Sequence, residues 1–114
     1  MLEERFEELV AEALDGLPEW VHERLSNVAV LVEDRAPRGQ RNLLGLYEGI
    51  AQTHRGDWYS GALPDRITLF RDTIEREAHG DPERLRRVVA HTVAHEIAHH
   101  FGISDERLRE LGVY

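Results

Sequence analysis

Residues His95–Asp105, HEIAHHFGISD, hold the chain's densest set of groups able to do chemistry. His95 and His99 are four apart, so on a helix they project from one face, one turn from each other. Two imidazoles at that spacing suit a single Zn²⁺ and leave positions for a third protein ligand and a water. Glu96 sits on the flank of that face, where a general base would take a proton from the water as it attacks a carbonyl carbon and deliver it to the leaving amine. Gly102 permits a helix stop, and Asp105 follows where a returning chain can present the third ligand. Glu106 and Glu110 compete for that place, although both read more simply as charges on an exposed last helix. HExxH alone arises by chance in roughly one chain in twenty of this composition; the added Gly and Asp lower that to about one in a few thousand. The competing reading is a packed or solvated helix that happens to carry histidines.

The remaining polar residues near this run are less constrained. His100 lies about 140° round the helix from His95, too far to reach the same ion easily, and reads as a packed, hydrogen-bonded histidine or one that supports a ligand from behind. His91, one turn before His95, lines a cleft, orients a neighbour, or serves the core or surface. A donor for a developing oxyanion is not singled out among Tyr47, Tyr59, Tyr114, His54 and Arg66.

The elements that must carry these residues follow from periodicity. Leu2, Phe6, Leu9, Val10, Ala13 and Leu14 form the apolar stripe of an acidic amphipathic helix, ended by Gly16. Pro18 starts a short second helix to about Leu25. Val28–Val32 predicts a strand buried on both faces, Leu43–Tyr47 a second strand, and Arg66–Arg71 a third. Pro64 suits an edge strand or a strand start; in an open sheet the free edge of this third strand would accept an extended peptide, the alternative being a strand that merely completes the sheet. Asp34–Asn42 and His54–Gly61 read as loops, the latter displaying Trp58 and Tyr59. Asp72–Glu77 suggests a helical turn. Asp81-Pro82-Glu83 is a strong helix start. That helix is expected to run to about Phe101, central and buried, with Ala90, Ala94 and Ala98 allowing close approach on one side. Ser104 caps a last helix, Asp105–Leu111, stopped by Gly112.

Composition narrows the classes. The chain has 114 residues, 41% hydrophobic and 32% charged, which predicts one soluble globular domain over 1–114. There are no cysteines, so neither disulfides, thiolate ligands nor thiol nucleophiles arise. All 14 basic residues are arginine, which excludes lysine-based covalent chemistry. A net charge of −8 argues against nucleic acid or an anionic membrane as partner. No apolar run is long enough to span a bilayer, and MLEERFEELV is unlike a signal or transit peptide, so a cytoplasmic location is expected.

Three blocks together carry a family resemblance: LLGLYEG (Leu43–Gly49), LPDRITLF (Leu63–Phe70) and HTVAHEIAHHFGISDERLRELG (His91–Gly112). Over roughly residues 28–112 the chain resembles the short bacterial zincin-like metallopeptidases, or minimal zincins. The resemblance implies an α/β (α+β) zincin-like fold. Its small twisted mixed sheet has an edge strand over a central HExxH helix, with N-terminal helices and a short C-terminal helix. It also implies zinc held by His95, His99 and Asp105, Glu96 as the catalytic base, and a peptide or protein substrate. HExxHxxGxxD is similar to metzincins whose third ligand is Asp. Their Met-turn has no counterpart, because the only methionine is Met1. Two other readings remain in view. One is a zinc hydrolase of a non-peptide bond, as in endoribonucleases with an HxxxHxxGxDH motif, whose final His is missing here. The other is a zinc-binding module without turnover, its site closed by His91 or Glu110.

Overall fold

In the computed structural model the described residues are 3–24, 28–49 and 65–110, apart from the side chains of 3, 24, 105, 108 and 109. The order of elements is α1 (Glu3–Asp15), α2 (Glu19–Arg24), β1 (Val28–Glu33), β2 (Gly45–Glu48), β3 (Asp65–Phe70), α3 (Arg71–Ala78), α4 (Pro82–His100) and α5 (Asp105–Glu110). Periodicity anticipates each of these, and α3 is longer than the single turn expected. The loop His54–Gly61 with Trp58 and Tyr59, together with Pro64, lies outside the described residues.

The sheet order is β1-β3-β2. β3 pairs in parallel with β1, from Val28↔Asp65 to Glu33↔Phe70, and antiparallel with β2, from Gly45↔Leu69 to Glu48↔Arg66. Both edges of β3 are therefore occupied, and the expectation that its free side would take a peptide is wrong. The continuous burial of Ile67–Phe70 marks it as the central strand. Among the described residues the edges are β1 and β2. This also corrects β1, expected to be buried on both faces. As an edge strand it is only half-buried, and Leu31 is exposed.

One apolar stripe of α4, Leu85, Val89, Val93 and Ile97, packs on the core formed with Phe6 and Leu9 of α1, Ile67 and Leu69 of β3, and Ile74 of α3. Asp81 caps the helix by accepting from the Glu83 amide at 3.0 Å, with Pro82 in the first turn. The helix is not buried all round: Ala90, His91 and Ala94 are exposed. Its apolar look arises because alanines on the open side carry too little surface to require cover. Ala90 and Ala94 border a groove against α1, and the histidines open onto a separate cleft beside β2.

Candidate metal and catalytic site

At 100° per residue, His91, His95 and His99 form one stripe along α4, and Glu96 falls roughly 60° from His99 towards the core stripe. The burial follows this geometry. His95 and His99 are half-buried, His91 is exposed, and Glu96 retains only 7% of its surface. The rings of His95 and His99 stand nearly perpendicular with centroids 4.6 Å apart, and Glu96 Oε1 lies 3.2 Å from His99 Nδ1. One donor atom from each of His95, Glu96 and His99 lies within 4.8 Å of the others, the only such group among the described residues. Two imidazole nitrogens at this spacing are an ordinary part of a zinc donor set, and a carboxylate beside them can serve as ligand or as base, so the residues present fit that ion.

β2 lies directly on this part of α4. A Cβ placed on Gly45 would sit 2.9 Å from Thr92 Cγ2, 3.2 Å from Glu96 Cγ and 3.3 Å from the Thr68 carbonyl oxygen. Glycine is therefore what lets the edge strand cover the Glu96 stem. Thr92 is itself fixed, its hydroxyl donating to the Val88 carbonyl at 2.7 Å. Between strand and helix opens a cleft of about 460 Å³. Leu43, Gly45 and Tyr47 form one wall; His91, His95, Glu96 and His99 form the other. The sequence singled out neither Gly45 nor this close approach, although a glycine inside an apolar strand is the usual sign of one.

The helix ends immediately beyond His100. The Gly102 amide donates to the His99 carbonyl and the Ile103 amide to the Ala98 carbonyl, both at 2.9 Å, with Gly102 at φ 80°. This is a Schellman closure, which needs glycine at the left-handed position. It turns the chain into α5, which Asp105 opens; Ser104 caps α5, accepting from the Arg107 amide at 3.2 Å. The Asp105 side chain is outside the described residues. Of its rivals, Glu106 is exposed, and Glu110 is exposed and paired with Arg107 at 2.9 Å.

His100 is hydrogen-bonded, as expected, and its partner is Asp65, with Nδ1 2.9 Å from Oδ2. The same oxygen accepts from the Tyr47 hydroxyl at 2.9 Å. The cluster ties β2, the start of β3 and the end of α4 together beside the cleft. Burial holds the Tyr47 phenol above its ordinary 10.0, reinforced by its hydrogen bond to Asp65 and by that carboxylate's charge. Of the five residues considered as oxyanion donors, Tyr47 is in the cleft wall with its proton engaged by Asp65, and Arg66 is paired with Glu48 at 3.3 Å. His54, Tyr59 and Tyr114 lie outside the described residues.

The zincin-like metallopeptidase family matches residues 25–113. The chain belongs to this family, and the mixed α/β architecture with HExxH on its long helix agrees with it. No curated protein matches the chain. No helix among the described residues is long and apolar enough to cross a membrane.

Proposed function

We propose that the chain is a zinc-dependent peptidase in which His95, His99 and Asp105 hold the metal and Glu96 is the general base. The observation that carries this reading is the convergence of two imidazoles and a nearly buried carboxylate on one cleft beneath a sheet edge. Bound there, zinc would polarise a substrate carbonyl and make water acidic enough to give up a proton near neutral pH. Glu96 would accept a proton from the attacking water and pass it to the leaving amine. Its stem is nearly buried beneath Gly45 and its carboxylate lies against His99, which limits its freedom before substrate arrives. Among the described residues the outer edge of β2 is unpaired, and its backbone groups can take an extended peptide as a strand, laying a peptide bond across the histidines. That role passes to β2 because both edges of β3 are filled. A cytoplasmic setting, without nucleic acid or membrane as partner, is consistent with the net charge of −8 and the absence of cysteine.

The test is Glu96→Gln, assayed on a peptide library with zinc content measured in parallel. Cleavage should fall by at least ~100-fold, the scale of general-base catalysis, with zinc near one per chain. Zinc lost together with activity would make Glu96 a ligand, as expected of a non-catalytic module. Undiminished cleavage would remove it from the mechanism.

A further inference from the structure

The arginines of this acidic chain are not evenly satisfied. Seven with described side chains hold carboxylates, Arg5, Arg66, Arg71 and Arg107 among them. Four make no side-chain hydrogen bond or ion pair among the described residues: Arg35, Arg38, Arg41 and Arg87. With acids in excess, 22 against 14, unpaired guanidiniums should be rare and scattered. Instead all four lie towards one end of the candidate site.

Their placement follows from how β2 crosses α4. Leu44 lies with Val88 and His91, Gly45 against Thr92 and Glu96, and Tyr47 beside His100. Strand and helix therefore run in the same direction along the cleft. At its upstream end Arg87 shares a recess with Leu44 and His91. On the strand side, Asn42 lines the cleft and is preceded by Arg41. Arg41 shares a second recess, of about 470 Å³, with Arg35, Arg38 and Arg76; its one acid, Asp72, is paired with Arg76 at 3.5 Å. The loop bearing three of these arginines is anchored. The Arg41 carbonyl accepts from Thr73 Oγ1 at 3.0 Å and from Arg76 Nη2 at 2.7 Å, and the Asp34 carbonyl accepts from the Asp72 amide at 2.9 Å. Arg71 also pairs with Asp34 at 2.8 Å. The guanidiniums are thus displayed on a fixed base.

We infer that these arginines bind the acidic side chains of a peptide lying along β2, on the C-terminal side of the bond presented to Glu96. The inference rests on the peptidase reading and adds a substrate class to it. Antiparallel addition is the more stable pairing, and a segment antiparallel to β2 runs from the Tyr47 end towards Asn42. Its C-terminal portion then reaches Arg87 and the loop arginines. Guanidinium forks match carboxylates in a bidentate manner. A peptide fits better than a nucleic acid because the basic surface is a small patch on a chain of net charge −8, linked through the neighbours Arg41 and Asn42 to a cleft edged by strand backbone.

The test separates binding from turnover. Labelled, C-terminally amidated peptides share one central segment and carry three Glu or three Gln downstream of it. Binding to the zinc-supplied 114-residue Glu96→Gln protein is followed by fluorescence anisotropy. In ~50 mM salt the Glu peptide should bind about tenfold more tightly, as expected of a few exposed ion pairs. The preference should shrink towards unity near ~0.5 M salt. Adding Arg35→Gln, Arg38→Gln, Arg41→Gln and Arg87→Gln to that background should remove the preference without lowering the melting temperature, since the loop is anchored through the Arg41 carbonyl. Equal binding of the two peptides overturns the inference, as does a preference that survives the four substitutions. An equal gain from Glu placed upstream also overturns it, and so does a single-stranded RNA that displaces the Glu peptide at lower concentration. These outcomes do not depend on cleavage, so a protein that cleaves nothing still decides the matter. Where cleavage by wild type is measurable, the acidic tail should lower KM and leave kcat unchanged.

Discussion

Gly45 bears directly on how the edge strand and the HExxH helix are held together. In Gly45→Ala the new methyl would meet Thr92 Cγ2 at 2.9 Å. Carbon atoms rest near 3.5 Å or more, so β2 must retreat from α4 by about 0.6 Å. Thr92 has little freedom to yield, because it is buried and its hydroxyl is bound to the Val88 carbonyl. Overpacking of this kind costs about 1–3 kcal/mol, and the reduced entropy of the unfolded chain returns about 0.4–1 kcal/mol. A net loss of about 1 kcal/mol corresponds to a melting temperature lower by roughly 4 °C for a domain of this size. The same retreat loosens the wall over Glu96, and misplacement on that scale should lower peptide cleavage about tenfold with zinc content unchanged. Thermal unfolding and cleavage are measured for Gly45→Ala, Thr92→Ser and the double variant. Thr92→Ser keeps the hydroxyl and deletes the offending methyl, so the double variant should recover at least about 0.5 kcal/mol relative to additivity. An alanine variant as stable and active as wild type, or strict additivity in the cycle, would refute the close-approach argument.

Three further outcomes follow from the site's surroundings. His99→Ala should lose bound zinc and the rise in melting temperature that wild type shows with added zinc, a rise equivalent to about 2.7 kcal/mol at a hundredfold excess over Kd; an unchanged zinc response would remove His99 from the ligand set. Tyr47→Phe should cost about 1 kcal/mol near neutral pH through loss of the bond to Asp65. Because the folded-state value of Tyr47 is raised above 10.0, its contribution is complete below pH 10 and is lost as pH rises from there through the raised value. Denaturant titrations should therefore show wild type and Tyr47→Phe converging in alkali, whereas a gap that is constant to high pH would contradict the assignment. Gly102→Ala, at φ 80°, should destabilise by about 1 kcal/mol in chemical unfolding and weaken zinc binding by displacing α5; a neutral effect would count against the Schellman closure as the feature that places Asp105.

The legible parts of this chain are those written in local signals. Asp81-Pro82-Glu83 and Gly102 bracket α4 because capping chemistry depends on neighbours in sequence, and the His95/His99 spacing carries over directly to one helix face. What escaped depends on which surfaces meet. Whether Ile67–Phe70 is a central or an edge strand is decided by Val28–Glu33 and Gly45–Glu48 flanking it, and periodicity does not encode strand order. The half-exposure of β1 has the same origin. Ala90 and Ala94 read as buried by hydropathy yet face outwards, since a methyl group is indifferent to which side it takes. The clustering of Asp65 with Tyr47 and His100 joins residues up to 53 positions apart and has no sequence signature. Gly45 did carry a signal, a glycine interrupting LLGLY, and its meaning appeared only when Thr92 was placed opposite it.

The claim that decides between a hydrolytic and a closed site is the number of protein ligands on the metal. Crystals of the full chain grown with zinc, with anomalous diffraction recorded on both sides of the zinc edge, measure it directly. The expected map shows one zinc held by His95, His99 and Asp105, with a water completing its coordination beside an unligated Glu96. A zinc closed by four protein groups, with Glu96, His91 or Glu110 among them, or no anomalous peak at His95 and His99, would contradict the peptidase assignment.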